Sequence, residues 1–342
     1  MGNKLFSRNF TPWIGFRKSA AGLGVFLLIL SLTLLTFPAN VVAKDYPVKP
    51  ITLIAPWATG GAVDISGRLL APRLSKILGV PVSVMNKPGG SGIIGTLEAV
   101  TAAPDGYTLL VDCGGTSSIQ EAWVEKLPYK VQERTYIARV MYTSQALIVP
   151  ASSPYKTVEE LVNALRANPT GLSWTLVGGT GVTDVCTAQF RAALAAKGID
   201  LSKSRMVAFK GVGEVVRAVA GGHADIGFGS PSTTNALISA GKLRPLAIAD
   251  EQRYKGWPTV PSMAEAGFPS VNQVFWAGLC GPPDLPANVV KTINDAIRDV
   301  LRDPDLLANM DKAGFAPGYQ TSDVFKQFVI NESKNIKALR LK

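Results

Sequence analysis

The chain contains one histidine and three cysteines in 342 residues. A single ring, His223, excludes a zinc site of the HExxH type and leaves only one possible base for a Ser-His-Asp arrangement. Its setting, GGHAD, favours a plain turn residue between a helix and a strand. Cys113, Cys186 and Cys280 form no CxxC metal pattern and can make at most one disulfide. We expect all three to be buried as small apolar side chains.

The sequence also lacks an apolar run long enough to be a typical membrane span. Residues 1–43 hold four basic residues and no acidic one, then an apolar stretch from Ala20 to Leu35 and a small-residue end at 41–43. Because that stretch is shorter than the roughly 20 residues of a spanning helix, the pattern predicts a cleaved secretory signal peptide over residues 1–43.

A dense basic run with interleaved aromatic residues is absent too. Cleavage would remove four of the 35 basic residues and none of the 25 acidic ones, which leaves a formal charge of +6. This moderate excess favours a general field that draws anions, and it makes nucleic acid a poor partner.

Strands and helices alternate along the rest of the chain, which predicts an α/β fold with mostly parallel sheets and crossover helices. About 300 residues suggest two lobes rather than one. Pro72 lies inside a predicted helix, which we expect to be bent there. The predicted strands are 51–55, 80–85, 108–111, 146–149, 172–177, 206–208, 226–228 and 244–249. The predicted helices are 64–78, 94–102, 157–167, 184–196, 212–220, 287–302, 304–313 and 322–337.

The most informative segment, 51–64, reads as a strand, a glycine turn at Gly60 and Gly61, and the start of a helix. Such a turn presents unpaired backbone N–H groups at a helix N-terminus, where the macrodipole favours negative charge. A second strand, glycine turn and helix follows at 175–184. Two such anion cradles predict a carboxylate site between the lobes, beyond the carboxyl ends of strands.

Several side chains near these turns are candidates for the site. Thr59 offers a hydroxyl, and Asp64 either contacts the ligand or caps its own helix. Trp57 and Trp276, the latter after a possible strand at 272–275, would form stacking walls for an aromatic carboxylate if they face the cleft.

Two further loops follow predicted strands and carry small donors. Thr116 and Ser117 come after strand 108–111, and Ser230 comes after strand 226–228. The segment 90–95 matches the dinucleotide fingerprint GxGxxG, but residues 86–88 (NKP) interrupt the tight turn that this motif requires. We therefore expect no cofactor, and a glycine loop that lets the backbone approach a ligand or the other lobe.

The chain resembles the tripartite tricarboxylate transporter receptors, also called the Bug family, over nearly all of residues 44–342. No single motif is decisive, but their order and spacing together are specific. The matching segments are 46–51 (YPVKPI), 56–64 (PWATGGAVD), 86–95 (NKPGGSGIIG), 104–110 (PDGYTLL), 209–211 (FKG), 241–246 (GKLRPL), 260–267 (VPSMAEAG) and 283–286 (PDLP).

This resemblance implies a periplasmic, non-catalytic receptor of the two-lobed flytrap fold, which hands a carboxylate to a membrane permease and needs no cofactor or metal. We place lobe 1 at 44–144 plus 255–342 and lobe 2 at 145–254, with a monomer as the default. The family binds its ligand largely through backbone groups and waters of two loops. The residues that this implies here are Trp57, Ala58, Thr59, Gly60, Gly61, Val63 and Asp64 in the first loop, Gly179, Thr180, Gly181, Val182, Thr183 and Asp184 in the second, and Phe209.

The second loop departs from the family pattern. Many relatives carry a serine-rich loop that ends in histidine, where this chain has Asp184 or Val185. Either Asp184 caps its own helix, or the distal part of the ligand is not simply anionic. The ligand stays open between aliphatic di- or tricarboxylates, aromatic carboxylates such as terephthalate, and small amides or amino acids. Two other functions also stay open, an exported hydrolase that uses Ser117 or Ser230, and a receptor that presents its ligand to a sensor kinase.

Overall fold

The computed structural model describes residues 46–339, and these belong to one compact unit. The predicted signal peptide lies outside the described residues, and the lobe boundaries stay a prediction. No helix among residues 46–339 is both long and apolar enough to cross a membrane.

The described residues form eleven strands and ten α-helices. The strands are β1 (Ile51–Ala55), β2 (Val82–Asn86), β3 (Thr108–Cys113), β4 (Thr135–Thr143), β5 (Gln145–Pro150), β6 (Trp174–Leu176), β7 (Met206–Ala208), β8 (Gly227–Gly229), β9 (Leu243–Ala249), β10 (Phe275–Gly281) and β11 (Ala316–Gln320). The helices are α1 (Ala62–Leu78), α2 (Ile93–Val100), α3 (Ser118–Trp123), α4 (Val158–Ala167), α5 (Val182–Ala196), α6 (Val212–Ala220), α7 (Pro231–Ser239), α8 (Ala287–Val300), α9 (Pro304–Lys312) and α10 (Ser322–Lys337).

The strands form a large sheet, sheet A, and a smaller one, sheet B. Sheet A has the order β11-β4-β10-β3-β1-β2, with β1 parallel to both β2 and β3 and with β10 antiparallel to β3 and β4. Sheet B has the antiparallel order β8-β5-β9, and the parallel pair β6-β7 joins it through a bridge between Trp174 and Ile226. The α/β class is confirmed, but the expectation of mostly parallel sheets is not met, because three of the strand pairs among residues 46–339 are parallel and five are antiparallel. The antiparallel pairs arise where the chain passes between the sheets and within sheet B.

Three strands differ from the sequence prediction. The strand expected at 272–275 is instead β10, which begins at Phe275; β4 and β11 were not predicted. Gly278 weakens the strand signal of β10, yet a Cβ there would lie 2.7 Å from the Ala138 carbonyl oxygen, so close pairing with β4 requires glycine. Pro317 and Gly318 likewise weaken the strand signal of β11 in the sequence. The strand tolerates them because it lies at the edge of the sheet.

Helix α1 begins two residues before the predicted start and runs through Pro72 to Leu78. Pro72 is exposed, so its ring faces solvent rather than the core, and the helix continues despite the lost backbone hydrogen bond. The expected bend stays a prediction. Gly79 ends the helix in the left-handed conformation with φ 69°.

Two large apolar clusters support the sheets. One packs α1, α8 and α9 against sheet A, and the other surrounds Trp174, Phe190 and Phe268 beside sheet B. All three cysteines are buried and free, as predicted. His223 is exposed in the turn after α6, which confirms its plain structural interpretation.

The GxGxxG segment brings helix α2 close to the end of β1. A Cβ at Gly95 would lie 2.6 Å from the Lys87 carbonyl oxygen and 2.9 Å from Pro56, and a Cβ at Gly92 would lie 3.2 Å from the Trp57 ring. The glycines therefore serve close packing beneath the first loop.

We expect Gly95→Ala to lower the free energy of unfolding by about 1–3 kcal/mol, because the added methyl group has no space between two backbone segments. Urea unfolding measures the change. Ile94→Ala, at an exposed neighbouring position, is the control and should cost far less. Equal stability of the Gly95 variant and the parent would show that this packing is not required.

Candidate functional site

A cavity lies where sheet A and sheet B meet, at the ends of strands β1, β3, β6 and β8. It holds about 500 Å³ between atoms, including its mouth, and the centre of a water molecule can reach about 40 Å³ of it. The space suits a small, narrow ligand. The lining residues are Trp57, Ala58, Gly61, Ala62, Val63, Cys113, Gly115, Gln145, Val177, Gly181, Val182, Gly211, Val212, Ser230 and Phe275.

Four helices begin at this cavity. Gly61, Gly181, Gly211 and Ser230 are the N-caps of α1, α5, α6 and α7, and each lines the cavity. The positive ends of four helix dipoles therefore converge on one small space. No charged side chain lines the cavity within residues 46–339, so backbone N–H groups are the main source of positive potential there.

The first loop is held by Asp64. Its carboxylate accepts a hydrogen bond from the Gly60 N–H at 3.0 Å and from Arg68 Nε at 2.9 Å, and the side chain is buried. Burial alone would raise the pKa of Asp64, but the bonds from Arg68, Gly60 and Asn86 outweigh it and lower the pKa below its usual value. Asp64 thus stabilises its own loop and does not line the cavity.

The second loop uses the same device. The Asp184 carboxylate accepts from the Val177 N–H at 2.6 Å and from the Gly181 N–H at 2.9 Å. Burial raises the pKa of Asp184 to about 6, although the backbone hydrogen bonds to Val177, Gly181 and Gly179 oppose the shift. Of the two expectations for this residue, the structure supports the cap.

Both loops share the pattern Gly-x-x-Asp, from Gly61 to Asp64 and from Gly181 to Asp184. The two aspartate carboxylates accept hydrogen bonds from N–H groups at the N-cap or before it, namely those of Gly60, Val177 and Gly181. The N–H groups of the first helical residues after each cap, such as Ala62 and Val182, have no intrahelical acceptor. These free groups are the ones that a bound anion can reach.

The third loop follows β3, and its hydroxyls point away from the cavity. Thr116 Oγ1 and Ser117 Oγ donate to the Asp112 carboxylate at 2.7 and 2.6 Å, and Arg134 Nη1 contacts the same carboxylate at 3.1 Å. All four side chains are buried. Thr116 and Ser117 therefore fix the loop that brings Gly115 to the cavity, and they are not positioned as ligand donors.

Trp57 and Trp276 have different surroundings. Trp57 lines the cavity, whereas Trp276 is fully buried, donates from Nε1 to Glu332 at 2.7 Å and packs edge-on against Phe325 and Phe328. Trp276 therefore does not lie at the cleft as predicted. The strand starts at Phe275, and successive side chains along a strand point to opposite faces of the sheet. Phe275 faces the cavity instead.

The structure brings part of the predicted set together. The predicted residues that line the cavity are Trp57, Ala58, Gly61, Val63, Gly181, Val182 and Ser230. Those that do not are Thr59, Gly60, Asp64, Thr116, Ser117, Gly179, Thr180, Thr183, Asp184, Phe209 and Trp276. Sequence reasoning missed Ala62, Cys113, Gly115, Gln145, Val177, Gly211, Val212 and Phe275. Of these, Gly211 could have been predicted from the sequence, because it too lies between a strand and a helix.

Residues from the two sheets meet around the cavity. Ser91, at φ 54°, donates from Oγ to the Gly178 carbonyl at 3.0 Å, and Gln120 Nε2 donates to the Ser91 carbonyl at 2.8 Å. On the other side, a Cβ at Gly213 would lie 3.2 Å from the Gly60 carbonyl oxygen. The two sides of the cavity are thus in direct contact, and the glycine loop reaches the opposite side.

We expect the buried Asp184 carboxyl to destabilise the fold as pH rises. Its pKa is about 6 when folded and 3.8 when unfolded, so the folded state binds the extra proton. The unfolding free energy should fall by about 2 kcal/mol between pH 4 and pH 7 relative to Asp184→Asn. Urea unfolding of both proteins measures this difference.

Asp64→Asn is the matched control, because the lowered pKa of Asp64 places its titration below this pH range. The unfolding free energy of Asp64→Asn should change with pH between pH 4 and pH 7 as that of the parent protein does. Identical pH dependence of Asp184→Asn and the parent would contradict a buried carboxyl with a raised pKa.

The Asp112–Arg134 pair gives a second prediction for this site. Arg134→Met leaves the fully buried Asp112 carboxylate without its cation and should cost about 3–5 kcal/mol of unfolding free energy. Adding Asp112→Asn should recover most of that loss. Lys130→Met, which breaks an exposed pair with Glu133, should leave the unfolding free energy almost unchanged. Urea unfolding tests all three, and a mild effect of Arg134→Met alone would contradict the account.

Comparison with known proteins places this site in context. The model of the tripartite tricarboxylate transporter family receptor matches residues 67–341. A Cupriavidus necator protein named "UPF0065 protein in gbd 5'region" is 31% identical over 331 residues, which covers 94% of this chain and 96% of that protein.

Solved structures agree with this match. One described as a periplasmic transporter has 33% identity and a TM-score of 0.81, and the alignment covers 86% of this chain and 97% of that one. MatC from Rhodopseudomonas palustris with bound malate has 26% identity and a TM-score of 0.80, with 86% and 99% covered.

Proposed function

We propose, from the fact that this chain belongs to the tripartite tricarboxylate transporter receptor family, that it captures a small carboxylate in the cavity and delivers it to a membrane permease. The resemblance seen in the sequence is confirmed, and so is the two-lobed α/β binding-protein fold. The family is one of periplasmic solute-binding receptors and not of enzymes.

Four helix N-termini converge on a cavity that no charged side chain of residues 46–339 lines, and this convergence carries the proposal. An anion is stabilised there by N–H groups that have no other acceptor, whereas a cation would face four positive dipole ends. The Cys113 thiol in the lining stays neutral, because burial and the charge of Asp112 raise its pKa to about 11. MatC, whose structure holds malate, supports a carboxylate as the anion.

Export and delivery form the finer part of the proposal. The pattern of residues 1–43 supports cleavage of a signal peptide and release into the periplasm. Ligand contacts from both sides of the cavity would favour the closed form, in which Ser91 meets Gly178, and the permease would recognise that form. An aromatic acid such as terephthalate would stack on Trp57 and Phe275 rather than on Trp276.

Thermal unfolding with matched ligands tests the proposal. The panel pairs succinate, citrate, benzoate and terephthalate with the methyl ester of each acid. An acid at about 100 times its dissociation constant should add about 2.7 kcal/mol of stability, and the neutral ester should add far less. Equal shifts for acids and esters, or no shift with any acid, would contradict an anion site.

We expect Gly61→Val to abolish carboxylate binding with little loss of stability. Gly61 has an extended backbone, which valine can adopt, and its Cβ would come no closer than 3.4 Å to the Ala58 carbonyl oxygen. The added side chain would therefore fill the cavity rather than distort the loop. Isothermal titration calorimetry measures affinity, with Lys76→Ala at the exposed end of α1 as control. Unchanged affinity in the Gly61 variant would remove this loop from the site.

A further inference from the structure

Gln145 has a buried side-chain amide that makes no hydrogen bond from its Nε2 to the first or second loop. Its side chain is 1% exposed, it lines the cavity, and Nε2 has no hydrogen-bond partner among the described residues. Protein interiors seldom leave a donor unpaired, because burial removes it from water without compensation. Among the described residues with such an unpaired atom, only Trp57 and Gln145 line the cavity.

Trp57 and Gln145 are positioned by different sheets. Trp57 follows β1, and its indole N–H lies beside the Cys113 thiol without a hydrogen bond of normal geometry. Gln145 opens β5, directly after the chain leaves sheet A. The two unpaired donors therefore reach the cavity from the two sheets.

Strand register identifies the neighbours of Gln145. Ala146 pairs with Gly229 in the antiparallel β5–β8 ladder, so one step further Gln145 stands opposite Ser230. Phe275 pairs with Thr143, two residues before Gln145. We call Gln145, Ser230 and Phe275 the hinge end of the cavity, because the chain crosses between the sheets there.

The hinge end and the α1 cradle are far enough apart to hold two groups of a small molecule. Strand β3 separates β1 from β10, and two strand spacings amount to about 10 Å.

We infer that Gln145 selects ligands whose carboxylate lies in the helix-end cradles and whose second polar group, at the hinge end, is a neutral carboxamide or hydroxyl. This rests on the proposed function. The Gln145 amide both donates and accepts, as do a carboxamide and a hydroxyl. The Ser230 hydroxyl bonds to those of Ser232 and Thr233 and can reorient with them.

A second carboxylate fits the hinge end less well. Phe275 forms an apolar wall there, and no cationic side chain of residues 46–339 lines the cavity. Of the three residues at the hinge end only Ser230 is a helix N-cap, so a second negative charge would lose its water shell against one helix end, a neutral amide and a hydroxyl. The matching substrate class is therefore an amido or hydroxy monocarboxylate.

Isothermal titration calorimetry on the purified protein tests this with two matched ligand sets. One set is succinamate, succinate and butyrate, and the other is adipamate, adipate and hexanoate. The amide acid of at least one set should bind about tenfold or more tightly than both its diacid and its unsubstituted acid. Gln145→Leu should remove this preference by weakening the amide acid most.

The ligand-free protein supplies a readout that a merely structural role would not give. Gln145→Leu replaces an unpaired buried amide with an apolar group of similar size, so the melting temperature should rise. Gln145→Met serves if the leucine variant does not fold. Thr96→Val, at a buried position outside the cavity, is the control and should keep the ligand preference of the parent.

The outcomes separate the two proposals. If carboxylates bind but the diacids bind most tightly, or if Gln145→Leu keeps the preference for the amide acid, the inference about Gln145 is wrong and the carboxylate receptor stands. If Gln145→Leu weakens every ligand equally and lowers the melting temperature, its role is structural. If no carboxylate binds the parent protein, both proposals fail.

Discussion

The site depends on one constraint, which is that four helices must present backbone N–H groups to a single cavity without protein acceptors occupying those groups. Four helices begin at one cavity, and no lysine, arginine or histidine of the described residues lines it. Such an arrangement works only if the loops are held still without using the same N–H groups. Asp64 and Asp184 meet this requirement, since each carboxylate bonds to its own loop and leaves the first turn of its helix free. The aspartates thus hold the loops of the proposed anion site without lining its cavity.

Glycine makes the closed form possible because the cavity walls come from backbone in close contact. Gly92 and Gly115 leave space for the Trp57 ring, and Gly213 lies against the carbonyl of Gly60. A Cβ at Gly178 would lie 2.3 Å from Ser91 Oγ, so the bond that links the two sides requires glycine as well. N–H groups from both sheets surround the same space. A ligand that uses both sets therefore binds the closed form better than an open one, which is the condition for a binding event to be signalled by shape.

The sequence predicted the two cradles because strand, glycine turn and helix are adjacent in the chain, and local patterns report local structure. It also predicted the Asp184 cap as one of two possibilities, since an acidic residue in a first turn has a known local role.

The prediction failed where a side chain's position depends on residues far apart in the sequence. Asp112 and Arg134 are 22 residues apart and only the fold shows that Thr116 and Ser117 bond to them rather than to a ligand. Trp276 was predicted at the cleft because the strand was expected to end at Phe275, which would put Trp276 in the following loop. The strand in fact begins at Phe275, and side chains alternate along it, so Phe275 faces the cavity and Trp276 faces the opposite side. Gln145 has no local motif at all, since its importance comes from an unpaired atom in a cavity formed by both sheets.

The most direct test of the central claim is a crystal structure of the protein with a bound carboxylate that stabilises it. The account predicts that carboxylate oxygens lie about 2.7–3.1 Å from backbone N–H groups at the starts of α1 and α5, directly or through one water, with no cationic side chain in contact. A carboxylate held by lysine or arginine, or bound outside the cavity, would contradict it.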